Sequence, residues 1–284
     1  HRYPPPPPTT TKISYAWEFP YCWMMTLKLA FRIHRKRPID AMHACNPPDT
    51  FFLIGRILRA LGGARFVYDQ HDLCPELYLS RFGGRPAVLF GILRALELAT
   101  YRAADMIIAT NESYREHAID VGEVTRERTF VVRSGPRVSR LTPVPPDESL
   151  RKGRKYLVCY LGVMAPQDGL DYLLRSIRHV VDVVRRRDVQ FVLIGSGDSA
   201  AAVKQLRDDL GLTDYIDMPG RIPDEDVQRY LSSADLCVCP DPRNPLNDVS
   251  TMNKVLEYMT FGKPLVSFAL KESRNSAGHG APYA

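Results

Sequence analysis

Apolar positions along the first half of this chain fall into two alternating patterns. Four short apolar runs have the length and composition of buried strands: 39–44, 65–69, 106–109 and 129–132. Four segments have the period of an amphipathic helix: 20–35, 50–61, 86–103 and 112–119. Alternation of strand and helix is typical of a parallel sheet with covering helices, so we predict such a sheet here.

The second half repeats the alternation. The predicted strands are 156–161, 189–194, 216–218, 236–239 and 265–269. The predicted helices are 168–184, 199–210, 224–232 and 251–261. The fold class is therefore α/β, with a second doubly wound domain. In such sheets ligands gather at the carboxyl ends of the strands.

Residues 136–155 are rich in proline and charge, which is typical of a domain boundary. We predict an N-terminal domain over 1–138, a linker over 139–155 and a C-terminal domain over 156–284. The segment His1–Thr11 is rich in proline and threonine and predicts no regular element. A start of this kind without Met suggests a fragment, so we expect both domains to be truncated.

Composition supports a large core, because 45% of the 284 residues are hydrophobic. The excess of 38 Lys and Arg over 32 Asp and Glu is concentrated at 32–37, 151–155 and 185–187. Such patches attract polyanions, and ordinary solvated faces are the alternative. The chain has no nucleic-acid module pattern, so we expect no nucleic-acid partner.

The six cysteines have no CxxC spacing and lie mostly among apolar residues. They predict buried free thiols in a reducing, cytoplasmic setting, without a zinc site or a disulfide framework. The stretch 23–31 is too short to span a membrane. Its aromatic start and basic tail suit a helix at the inner membrane face, and a core helix is the alternative.

Four loops of the second half carry small or helix-opening residues at predicted strand ends: Gly162, 195–198, 220–223 and 247–254. Glycine lets a ligand approach the backbone, and side-by-side loops of this kind suit a base, a ribose and two phosphates. Ordinary structural turns give the same residues.

The last of these loops runs into a predicted helix. Its first turn favours an anion, Lys254 adds positive charge, and Lys254 and Glu257 share a helix face. Ser250, Thr251 and Asn253 are candidate caps. The alternative is an ordinary capped helix with a surface Lys–Glu pair.

In the first half, His71 follows a predicted strand and lies beside Asp69 and Asp72. A histidine in this setting is suited to donating a hydrogen bond or taking a proton near neutral pH. The alternative is a histidine satisfied by a backbone carbonyl. Asn46 and Asp49 hold the same place one strand earlier, with an Asx turn as their alternative.

Several stretches together resemble the retaining glycosyltransferases of family 4: 161–162, 192–197, 218–223, 230–240 and 254–264. The last stretch, Lys254–Pro264, is the most specific. In the first half, 71–73, 103–105 and 134–135 are similar to the acceptor-side domain of the family. The resemblance implies two Rossmann-like domains facing a cleft, the GT-B arrangement.

The resemblance also implies roles for single residues. Glu257 would hold the ribose, and His71 would lie near the transferred sugar; with Lys254 they are the candidate catalytic residues. The residues implied at the diphosphate are Ser250, Thr251, Met252, Asn253 and Lys254. Those implied beside the base are Gly195, Gly197 and Arg221. Further donor-side candidates are Gly162, Arg243 and Asp248, and the acceptor-side candidates are Asn46, Asp49 and Asp72.

Several positions depart from the family pattern. The first acid of its Glu-x7-Glu motif falls on Val249, so Asp248 or a backbone group must contact the sugar. The usual Arg and Lys of the glycine loop fall on Val163 and Asp168, and we expect Lys254 and Arg243 to compensate in part. The first strand of the family is expected before His1 and its closing helix after Ala284.

We therefore expect a metal-independent hexosyl- or related transferase that moves a sugar from a nucleotide diphosphate-sugar to an acceptor hydroxyl with retention. The expected partners are this donor and a carbohydrate or lipid-linked acceptor, in bacterial-type cell-surface glycan or glycolipid synthesis, with peripheral membrane contact. No cofactor is expected. The alternatives are a nucleotide-sugar epimerase of the same fold and a catalytically weak binding module.

Overall fold

The structure, a computed structural model, describes residues 2–5, 12–83 and 86–277. The chain divides into two compact units, His1–Arg133 and Ser134–Ala284. Each unit is built on one parallel sheet, which confirms the predicted fold class. The predicted linker packs on the second unit, since the backbone N–H groups of Val144 and Asp147 donate to the hydroxyls of Ser232 and Ser233.

The first unit has four parallel strands in the order β1-β2-β3-β4. They are β1 (Ala41–Cys45), β2 (Arg65–Gln70), β3 (Met106–Ala109) and β4 (Thr129–Val131). The helices are α1 (Lys12–Lys36), α2 (Phe52–Gly62), α3 (Cys74–Phe82), α4 (Ala87–Ala103) and α5 (Glu112–Asp120). Among the described residues β1 pairs only with β2, and its side chains alternate between exposed and half-buried.

The core of the first unit forms where β2 and β3 pack against the helices. Phe66, Tyr101 and Ile107 are almost completely buried there. The sequence predicted every strand of this unit but missed α3. That helix begins with Pro75 in its first turn and ends at Gly83 in a left-handed conformation, both common helix-end signals.

The second unit has five parallel strands in the order β7-β6-β5-β8-β9. They are β5 (Tyr156–Leu161), β6 (Val189–Ile194), β7 (Ile216–Gly220), β8 (Leu236–Cys239) and β9 (Leu265–Ser267). The helices are α6 (Leu170–Asp182), α7 (Ala200–Asp209), α8 (Asp224–Ser233), α9 (Asn253–Thr260) and α10 (Lys271–Ala277). All predicted elements form, and α10 is additional.

The strand order reverses direction between β5 and β8. In an open parallel sheet this reversal leaves a crevice outside the carboxyl ends of the two strands, where ligands bind. The sheet behind it is firmly packed: all six residues of β6 are buried, and α6 buries one apolar face against them.

None of the described helices has an apolar stretch long enough to cross a membrane. The cysteines are all free, but only three of them are buried. Cys22 and Cys74 are half-buried and Cys45 is exposed, which corrects the prediction of mostly buried thiols. Cys45 is exposed because it lies on the exposed face of β1, whose side chains alternate between exposed and half-buried.

Candidate donor-binding site

The second unit has a cavity of about 590 Å³ at the strand reversal. The loop after β5 lines one side and the first turns of α9 line another, together with the segment that precedes β5 and the start of α8. The lining residues include Arg137, Arg140, Gly162, Asp168, Met252, Asn253, Lys254 and Glu257. This crevice is therefore where the topology predicts a ligand.

Backbone hydrogen bonds hold the loops after β5, β6 and β7 together. Gly162 N–H donates to Ile194 O at 3.0 Å, and Gly195 N–H donates to Gly220 O at 2.9 Å. A Cβ atom on Gly195 would lie 1.8 Å from Gly162 O, and one on Gly197 would lie 2.5 Å from Met164 O. Gly162 lines the cavity, whereas Gly195 and Gly197 hold neighbouring loops in contact.

The first turn of α9 lines the cavity through Met252, Asn253 and Lys254. Met252 occupies the N-cap position and makes no side-chain hydrogen bond there. The predicted hydroxyl cap is not used in this way, because the Ser250 hydroxyl donates to Leu246 O at 2.8 Å. Thr251 is half-buried and is not among the cavity-lining residues.

Lys254 is buried and forms an ion pair that the sequence did not predict. Its Nζ lies 3.0 and 2.9 Å from the two carboxylate oxygens of Asp241, which is itself 1% exposed. The same Nζ lies 3.7 Å from Asp168 and 5.0 Å from the centre of the Tyr160 ring. Burial lowers the pKa of Lys254, but Asp241 and the other groups around the ammonium together outweigh that effect, and the pKa is raised overall.

Asp168 lines the crevice. It is an acidic residue at a position where the family pattern has a basic one. Its Oδ2 accepts the Ala165 N–H at 2.8 Å. Burial raises the pKa of Asp168 to about 6, with Lys254 acting in the opposite direction and Asp241 adding to the rise. The positive charge of Lys254 thus already has two acidic neighbours, Asp241 and Asp168.

Glu257 lies one turn beyond Lys254 and is half-buried in the cavity wall. Burial raises the pKa of its carboxyl group, and the Lys254 charge partly offsets the rise. Among the described residues the Glu257 carboxylate has no hydrogen-bond partner, so both of its oxygens are available to accept hydrogen bonds from hydroxyl groups of a ligand.

Arg137 and Arg140 bring two positive charges to the crevice that the sequence analysis assigned to no site. Both are exposed, and neither forms an ion pair with any residue of the described part of the chain. Their segment was interpreted as part of the domain boundary over 136–155. The available signal was two arginines that lie two and five positions after Gly135.

Three predicted donor-side residues lie elsewhere on the second unit. Asp248 accepts the Lys271 N–H at 3.0 Å, and Arg243 lies 3.2 Å from its other oxygen. Both line a separate cavity of about 310 Å³ beside α10. Arg221 is exposed after β7 and does not line the crevice.

In the first unit, Asn46 organises the loop that follows β2. Its Oδ1 accepts the N–H groups of His71 and Asp72, at 2.7 and 3.1 Å, and its Nδ2 donates to Asp72 O at 2.6 Å. The His71 ring lies 3.2 Å from Asp69. Burial raises the pKa of Asp72, partly offset by His71. The structure thus brings Asn46, His71 and Asp72 together.

Asp49 has a different environment. It is 5% exposed, and the Tyr68 hydroxyl donates to its Oδ1 at 2.6 Å. Burial raises its pKa. Asp49 lines an apolar cavity of about 650 Å³ with Trp23 and Leu53, and the Asn46–His71–Asp72 group does not contribute to that cavity.

Two family models match the chain. A model described as glycosyl transferases group 1 matches residues 155–281, and one described as a glycosyl transferase 4-like domain matches residues 1–135. The solved structure of Anabaena HepE in complex with UDP and glucose superposes with a TM-score of 0.68 at 18% identity. It covers 90% of this chain and 66% of that one. At this identity the likeness shows the two-domain GT-B fold.

Curated relatives include an uncharacterized glycosyltransferase of Methanocaldococcus jannaschii, 23% identical over 80% of this chain. Another is the D-inositol 3-phosphate glycosyltransferase of Frankia alni, 24% identical over 87% of this chain. The matches span 57% and 61% of the lengths of these two relatives. Because the two family models together match nearly all of the chain, the chain belongs to the group 1 glycosyl transferases, with a 4-like domain as its first unit.

Proposed function

We propose that this protein transfers a sugar from a nucleoside diphosphate-sugar to an acceptor hydroxyl, with retention of configuration. One observation carries the proposal. The crevice at the strand reversal combines the first turn of α9, two arginines without ion-pair partners among the described residues, and the carboxylate of Glu257. These are the groups that a diphosphate and a ribose require.

In this proposal the diphosphate binds at the first turn of α9, and Arg137 and Arg140 supply the positive charge. The leaving diphosphate gains negative charge in the transition state, and preorganised cations and amide dipoles stabilise it more than they stabilise the intact donor. Arg137 and Arg140 thereby replace the two cations lost at Val163 and Asp168. Lys254 positions α9 through Asp241 and does not itself bind phosphate.

Glu257 accepts hydrogen bonds from the hydroxyl groups of the ribose. A carboxylate that has no other partner and is half-buried is well suited to this, because each bond to a charged acceptor is stronger than a neutral one. In the first unit, His71 contacts the transferred sugar, and Asn46 holds the loop that carries it. Asp72 contributes on the acceptor side.

We also propose a cytoplasmic setting, a role in glycan or glycolipid synthesis and peripheral membrane contact. The free cysteines are consistent with a reducing, cytoplasmic setting. The relatives are named glycosyltransferases, which supports sugar transfer, and a role in glycan or glycolipid synthesis is part of the proposal. The chemistry needs no metal, because the proposed cations at the diphosphate are protein groups. Peripheral membrane contact rests on α1, whose exposed residues include Trp17 and Phe19.

Calorimetric titration with UDP-, GDP- and ADP-sugars tests the proposal. We expect one class to bind and Glu257→Gln to weaken it about 10- to 100-fold, as expected for charge-assisted hydrogen bonds. The double variant Arg137→Gln/Arg140→Gln should weaken it by at least as much. Exposed Glu225→Gln and Arg187→Gln are the matched controls and should leave the affinity unchanged.

Two outcomes of the titrations would contradict different parts of the proposal. If a donor binds and the arginine variant retains full affinity, the phosphate is held by other groups and the assignment of Arg137 and Arg140 is wrong. If no donor of any class binds to the folded chain, the proposed function is rejected for this chain.

A further inference from the structure

Four side chains of types that commonly bind metals lie close together near the carboxyl ends of β1 and β2. Cys45 of β1 lies in register with Asp69 of β2. Alternate residues of a strand point to the same face, so His43 lies on the face of Cys45. His71 is the first residue after β2, two positions beyond Asp69. The arrangement joins two adjacent strands and has no signature in the local spacing of the sequence.

The distances between the donor atoms are short. His43 Nε2 lies 2.9 Å from Asp69 Oδ2, and Cys45 Sγ lies 3.7 Å from the same oxygen. One ligand atom from each of His43, Cys45 and Asp69 lies within 4.8 Å of the other two. The side chain of His43 is 54% exposed and that of Asp69 is 18% exposed, so an ion can reach the group from solvent.

The types of ligand atom indicate which metal ion the group would bind. One imidazole nitrogen, one thiolate sulfur and one carboxylate oxygen suit a borderline-soft divalent cation with tetrahedral preference. We propose that His43, Cys45 and Asp69 bind Zn²⁺, with the fourth position open to solvent. Cys45 binds as the thiolate, and its proton passes to solvent as the metal–sulfur bond forms.

His71 has a positioning role in this site. Its Nε2 lies 3.2 Å from Asp69 Oδ1, the oxygen that does not contact His43 or Cys45. A partner on the second oxygen of a carboxylate ligand fixes its orientation, as partners beyond the direct ligands commonly do. A zinc ion here would therefore constrain Asp69, which contacts the residue proposed to touch the sugar.

A second group of metal-binding side chains in the first unit differs from the His43–Cys45–Asp69 group in already having a cation. Glu76, Glu97 and His117 also place their ligand atoms within 4.8 Å of one another. Arg94, however, donates to both carboxylates and contacts the His117 ring. That group already contains its cation. No Lys or Arg of the described chain pairs with Asp69.

The proposal goes beyond the sugar transfer and holds whether or not the chain has that activity. The test is a competition titration of the reduced, tag-free full chain with Zn²⁺ against a chromophoric chelator. We expect one equivalent to bind to each chain. Co²⁺ in place of Zn²⁺ should give the absorption of a tetrahedral ion and a thiolate-to-metal charge-transfer band.

The variants His43→Gln, Cys45→Ser and Asp69→Asn should each lower the Zn²⁺ affinity by more than about 100-fold, since losing even a partner of a ligand costs 10- to 100-fold. His71→Gln should lower it about 10-fold. Cys22→Ser and the exposed His179→Gln are controls and should bind as the unaltered chain does. Circular dichroism establishes that each variant is folded.

Two results would overturn the site. One is the absence of a tight equivalent in the unaltered chain. The other is a folded His43, Cys45 or Asp69 variant that keeps its affinity within about threefold, because each is required as a direct ligand.

Discussion

Both carboxylate oxygens of Asp241 contact the ammonium group of Lys254, at 3.0 and 2.9 Å, in an almost fully buried pair. Removing one partner leaves the other charge buried and unpaired. We therefore predict that Lys254→Met lowers the free energy of unfolding by about 3–5 kcal/mol, measured by denaturant titration.

The double variant Lys254→Met/Asp241→Leu serves as the control for that prediction. Because it removes both charges, its loss of stability should be clearly smaller than the sum of the two single losses. A Lys254→Met protein that is as stable as the unaltered chain, yet fails to bind donor, would show that Lys254 is a ligand contact and not a structural one.

Asp168 should make the stability depend on pH. Its pKa is raised to about 6 in the folded chain, so the folded state favours the protonated acid. The unaltered protein should lose about 2 kcal/mol relative to Asp168→Asn as the pH rises from about 4 to above 6, with no further change at higher pH. Denaturant titrations of both proteins across this range measure the difference. A difference that is constant with pH would contradict the raised pKa.

Gly195 should tolerate no side chain. Its φ is +138° and an added Cβ would lie 1.8 Å from Gly162 O, so Gly195→Ala must displace the loop after β5. We expect a loss of about 2 kcal/mol or more in the free energy of unfolding, with weaker donor binding. Gly135→Ala is the matched control, because nothing lies within 4 Å of an added Cβ there. Equal stabilities for the two variants would refute the close packing of the loops.

The chain should sediment with anionic vesicles at low salt if α1 contacts a membrane. Trp17 and Phe19 are 66% and 51% exposed, and the last turn of α1 carries His34, Arg35 and Lys36. Each basic side chain near an anionic surface contributes about 1 kcal/mol, screened by salt. Trp17→Ser/Phe19→Ser should reduce binding, while Leu61→Ser, which removes another exposed apolar residue, should not. No binding at low salt would remove the basis for membrane contact.

Much of the fold follows from periodicity. Every strand of both sheets was predicted, because short apolar runs separated by helical segments have few alternative interpretations. The helix α3 was missed because its nine residues, Cys74–Phe82, are too few to show a clear helical period and follow directly on a cluster of ionisable groups. Its Pro75 and Gly83 were the available signals.

The site was only partly predictable. The position of Glu257 at the crevice follows from the helix start and from the resemblance. The pairing of Lys254 with Asp241 could not be predicted in this way. Asp241 lies thirteen positions earlier in the chain, and the fold of the loop after β8 brings it to Lys254. The place of Arg137 and Arg140 at the crevice could not be predicted either, because spacing along the chain does not show which cavity a connecting segment lines.

The position of β1 affects how the protein behaves in concentrated solution. Among the described residues its outer edge has no strand partner, so a row of backbone N–H and C=O groups is left to water. Ala41, Met42 and Ala44 carry no charge that would repel a second copy. Strand addition between molecules is the natural outcome of such an edge, and a Lys in place of the exposed Ala41 is the substitution that should prevent it.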